Sequence, residues 1–74
     1  MISRKALDDL IEDYRNALGK VKDAAFALED ASVLISSAGE DFTRESVRVI
    51  DQVNNAYTAI NTVLGRLREV TPDD

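Results

Sequence analysis

The sequence predicts an all-α fold. It reads as an antiparallel two-helix hairpin, with helices over about residues 4–37 and 43–70, that pairs with a second copy into a homodimeric four-helix bundle. Three observations predict it. Apolar residues recur at every seventh position through most of the chain, one short segment, SSAGED (36–41), interrupts them, and the apolar stripe on each half is wider than one partner helix covers.

In the first helix Leu7, Tyr14, Val21, Leu28 and Ile35 hold the a positions of a heptad. Leu10, Ala17, Ala24 and Ala31 hold d, and Ile11, Leu18, Ala25 and Ser32 hold e. The stripe is three positions wide, and the alanines along d allow a close helix approach. Ser3 is the expected N-cap, because a serine hydroxyl there accepts from an otherwise unbonded N–H of the first turn. Within SSAGED, Gly39 suits the left-handed conformation that ends a helix, and so short a connection forces the helices antiparallel. Asp41 or Thr43 is expected to cap the second helix, and Thr71 and Pro72 to end it. Residues 1–74 then form a single domain with 71–74 as a short flexible tail.

The second helix repeats the period with Ile50, Tyr57 and Leu64 at a, Val53, Ile60 and Leu67 at d, and Val49, Ala56, Val63 and Val70 at g. With the turn near Gly39, level positions have numbers adding to about 78. This register sets Leu28 beside Ile50, Val21 beside Tyr57 and Tyr14 beside Leu64. It also places Glu29 and Asp30 near Arg48, and the acidic Asp8, Asp9, Glu12 and Asp13 near Arg66 and Arg68.

Composition explains why one hairpin is not enough. A 74-residue chain buries only about 60% of its unfolded surface, and small scaffolds add disulfides, a metal or oligomerisation. There is no Cys and no His, which removes disulfides and the usual zinc ligands and leaves oligomerisation. Apolar residues also lie off the stripe at Phe26, Val33 and Leu34, and a bundle of two hairpins, a dimer in the simplest case, would bury them.

Fourteen acids against nine bases give a net charge of -5, which disfavours nucleic acid and anionic membranes as partners. No segment reaches the roughly 20 apolar residues of a membrane span, so the expected setting is cytoplasmic. The missing His and Cys also take away the common nucleophile–base pairs and metal ligands. We therefore expect no enzyme activity, no cofactor and no metal. The acidic cluster Asp8–Asp13 reads as a solvated helix start favoured by the helix dipole.

Two stretches remain as candidate sites. From Gln52 to Gly65 the chain carries no charge, although 31% of its residues are charged. Within that run Asn54, Thr58 and Asn61 form a polar strip bordering the seam at Tyr57. Amides beside an apolar seam can fix register across an interface, so Asn54, Tyr57, Thr58 and Asn61, with Phe26 and Val33, are the expected oligomer or partner interface. The alternative is that the dimer closes over the d-side alanines, in which case the amide strip faces solvent and is open to a different partner. The second stretch is the start of the second helix, where Thr43, Arg44, Ser46 and Arg48 supply the parts of an anion site, opposed by Glu40, Asp41 and Glu45.

The function expected from these features is non-catalytic: a small self-associating helical protein that binds another protein, as an adaptor, accessory protein or inhibitor of the kind phages encode. Two other classes compete with it. One is an oligomer that binds or sequesters an anionic or nucleotide-like small molecule, and the other is a structural assembly subunit.

Overall fold

Two long helices laid side by side make up the chain in a computed structural model that describes residues 1–73, without the side chain of Ser36. Helix α1 spans Arg4–Ile35 and α2 spans Glu40–Arg68, joined by a 3-10 turn at Ser36–Ala38 and by Gly39. Among the described residues there is no strand. The helices pack against one another in a rod of 57 × 14 × 12 Å, and the Asp73 N–H donates to the Ile2 carbonyl at 3.0 Å, bringing the two ends of the chain together. Asp74, the last residue of the expected tail, lies outside the described residues.

The helix ends follow from local chemistry. Ser3 caps α1 as expected, its Oγ accepting from the Ala6 N–H at 3.1 Å while its carbonyl accepts from Leu7 N at 2.9 Å. At the other end the Ser37 hydroxyl donates to the Leu34 carbonyl at 2.6 Å, satisfying one of the carbonyls a helix end leaves open. Gly39 has φ 127° and ψ 167°. The positive φ is what the turn needs from glycine, but the extended ψ differs from the left-handed helical conformation expected.

That geometry lets α2 begin at Glu40, three residues before the expected start. Neither Asp41 nor Thr43 caps it. Thr43 lies inside the first turn, with its N–H and its hydroxyl both bonded to the Gly39 carbonyl at 3.2 and 3.1 Å. Glu40 and Asp41 occupy the first turn and Arg66 and Arg68 the last, each sign placed where the helix dipole favours it. Beyond Arg68 the chain tightens, Glu69 N bonding to Arg66 O and Val70 N to Leu67 O.

The seam between the helices matches the heptads in α1. Every a, d and e position from Leu7 to Ile35 is buried or half-buried except Ala24, which is exposed. In α2 the a and d positions are likewise covered, but of the g row only Val63 is half-buried, and Val49, Ala56 and Val70 are exposed. Only Leu7 and Leu64 among the apolar side chains are fully covered, at 5% and 1% exposure. A hairpin has a line of contact and no interior.

The expected charge pairing does not form. Arg48 pairs within its own helix with Glu45 at 3.4 Å, both side chains being about two-thirds exposed. Among the described residues no ion pair links Arg48 to Glu29 or Asp30, or links Arg66 or Arg68 to the acidic start of α1. Exposed pairs stabilise by only about 0.2–1 kcal/mol, too little to hold long side chains against their entropy. The register is set by the seam.

Candidate functional site

The two flanks of α2 border the seam on opposite sides and carry different chemistry. Positions seven apart share a face of a helix in heptad packing. On one flank stand Phe42, Val49, Ala56 and Val63, an unbroken apolar row at g, and Val70, the next position of the heptad, lies beyond the helix end at Arg68. Phe42 is 63%, Val49 44% and Val70 40% exposed. On the other flank stand Val47, Asn54, Asn61 and Arg68, all exposed.

In an antiparallel pair the g side of one helix borders the g side of the other. The apolar row of α2 is therefore continued on α1 by Ala27 and Leu34, the latter 75% exposed, and by the exposed d-position Ala24. Asp13 and Lys20 are the charged side chains in that row of α1. The result is a strip that is apolar on both helices in the half of the rod nearest the turn, where Leu34 and Phe42 lie, and that is bordered on α1 by Lys20 and Asp13 farther along.

The amide flank is arranged differently. Tyr57 is half-buried at the seam, and Asn54, Thr58 and Asn61 are exposed beside it. The Thr58 hydroxyl donates to the Asn54 carbonyl at 3.1 Å and the Thr62 hydroxyl to the Thr58 carbonyl at 2.9 Å, so both threonines spend their donors on their own helix. The side-chain amides of Asn54 and Asn61 face water. Phe26 and Val33, a heptad apart on α1, are both exposed and point away from the seam. They do not share a patch with the amides.

At the start of α2 the four residues considered for an anion are divided. Ser46 is buried in the seam, at a d position, and Thr43 is half-buried with its hydroxyl on Gly39. Arg44 and Arg48 are exposed, and Arg48 is paired with Glu45. Asp8, Ile11, Glu12, Arg15 and Asn16 line a shallow depression along a single helix. Among the described residues no group of three or more acidic side chains is placed to hold a metal ion.

Phe42 lies seven positions before Val49 and so continues the g row; a helix expected to begin at residue 43 excludes it, whereas the observed start at Glu40 includes it. Comparison with protein-family models, with curated proteins and with solved structures finds no match to this chain. Among the described residues no helix is long and apolar enough to cross a membrane.

Proposed function

We propose that this protein acts without catalysis, as a helical hairpin that associates with a second copy into a four-helix bundle and through that bundle binds another protein. The observation that carries the proposal is surface area. A compact monomer of 8.2 kDa exposes about 4,500 Å². This hairpin exposes 5700 Å², an excess of about 1,200 Å² per chain. A standard stable interface takes about 800 Å² from each partner, so the excess is of the size that pairing removes. The shape agrees: the radius of gyration is 17.0 Å, against about 11 Å for a compact domain of this length.

Protein binding follows as the role because the exposed side chains offer contact surface and few reactive groups. Phe26 and Val33 on the outside of α1, or the amides of Asn54 and Asn61, are the surfaces a bound protein would use after pairing. Either surface suits a non-obligate protein partner, whose interface is about as polar as the rest of a protein surface.

Two measurements test this. If folding and pairing are coupled, the melting temperature rises with protein concentration; a melting temperature that stays constant across a hundredfold dilution would sink the self-association. The small-molecule class is tested by a thermal-shift panel of nucleotides and inorganic anions. A specific ligand at about 100 times its dissociation constant stabilises by about 2.7 kcal/mol, and such a shift, abolished by Arg44→Ala, would replace protein binding with ligand binding.

A further inference from the structure

The hairpin has two faces on which a second copy could sit, and they are chemically unequal. We propose that the second copy docks on the apolar g-side face, over Phe42, Val49, Ala56 and Val63 of α2 and Leu34 of α1, and that the amide flank stays outside the dimer. This deepens the self-association proposed above and rests on it.

Three features of the molecule converge on that face. First, the α2 row contains no charged or polar side chain over the three heptad steps from Phe42 to Val63, whereas the opposite flank offers two amides, a cation and one valine. Burying an amide without a partner is penalised by its lost hydration, and burying Val49 or Phe42 carries no such penalty. Second, the α1 side of the face is lined by alanines at 24 and 27. Small side chains there leave the groove between the helices shallow and open to the ridge of another helix, at the interaxial distances of roughly 8–10 Å that bundles use.

The third feature concerns which occupant the face suits. Each chain carries a net charge of -5, so two copies repel wherever their charged surfaces meet. The α2 row of the g-side face brings no charge to such a contact, and its α1 row brings one acid and one base, Asp13 and Lys20. Its exposed row also runs most of the length of α2, as an interface supplying the excess area of each chain requires. With both copies seated there, the row becomes the second layer of a bundle core, continuous with the a and d positions already covered by the seam.

The test compares one charged substitution on each flank. Val49→Glu and Asn54→Glu introduce the same side chain at exposed positions of the same helix, and analytical ultracentrifugation reads the dimer dissociation constant of each. Val49→Glu is expected to weaken the dimer at least tenfold with helical circular dichroism retained at high concentration, and Asn54→Glu to leave it within about twofold. The reverse order would overturn the assignment and place the dimer on the amide flank. A wild-type dimer indifferent to both substitutions would also overturn it, while leaving self-association intact. A wild-type monomer at every concentration would instead remove self-association itself.

Should Val49→Glu fail to fold, thiol protection gives the same information. The chain has no cysteine, so Ala56→Cys and Asn61→Cys each carry a single reactive site. Under conditions where wild type is dimeric, Cys at 56 is expected to react with iodoacetamide at least tenfold more slowly than Cys at 61. Equal rates, or protection at 61 alone, would overturn the face.

Discussion

The two flanks of α2 border the same seam, yet one reads Phe, Val, Ala, Val and the other Val, Asn, Asn, Arg. Helix formation does not require the difference, since both rows hold residues a helix tolerates. The seam does not require it either, because it is filled from the a and d positions. A flank that is apolar from Phe42 to Val63 and mostly left exposed by its own partner helix is the surface on which we place the second copy. The opposite flank exposes the amides of Asn54 and Asn61, and the neighbouring threonine hydroxyls are bonded within their own helix.

The comparison breaks most completely at the side chain both flanks depend on. Leu64 is the most deeply covered residue, and Leu64→Asp is expected to abolish cooperative melting and helical circular dichroism together, as a charge in the seam leaves neither helix a partner. Leu28→Asp should do the same from α1. A variant that kept full helicity would show that the seam is not what holds the hairpin. The milder Leu64→Ala should cost about 2–5 kcal/mol, measured by urea unfolding.

Next in size is the turn that fixes which flanks face which. Gly39→Ala forces a β-carbon into φ 127° with open space around it, so the cost is conformational, about 1–3 kcal/mol. A neutral effect on chemical denaturation would mean that the turn relaxes and that the hairpin geometry is set by the seam alone. Ser3→Ala removes the α1 cap and should cost about 1 kcal/mol, with no change in oligomer mass.

The smallest effect sharpens the comparison most. Asn61→Ala, on the amide flank, should change stability by less than about 0.5 kcal/mol and leave the oligomer unchanged, as substitutions at exposed positions without a structural role do. A changed oligomer order would bring the amides into the interface and reverse the roles of the two flanks.

Much of the fold was legible in the sequence because it rests on periodicity. The α1 stripe from Leu7 to Ile35, the Ser3 cap and the break near Gly39 all come from short-range rules, and the structure follows them. The α2 start was not legible: Asp41 and Thr43 are good caps by residue type, but Gly39 adopts an extended ψ that lets the helix begin at Glu40, and that choice belongs to the whole turn. Cross-helix ion pairing was not legible either, since a matching register places opposite charges at the same height without making the exposed contact worthwhile. The proposed docking face is half legible in the sequence: the excess of apolar residues is plain, but a helix expected to start at residue 43 excludes Phe42 from the apolar row, because that start depends on the conformation of Gly39.

In the assembly we propose, this hairpin is half of a folded unit. Absolute mass by multi-angle light scattering across a dilution series, with helical content followed on the same samples, tests it most directly. The expected result is a species of about twice 8.2 kDa that loses helicity as it dissociates. A monomer of that chain mass that stayed fully helical down to the lowest concentration would contradict it.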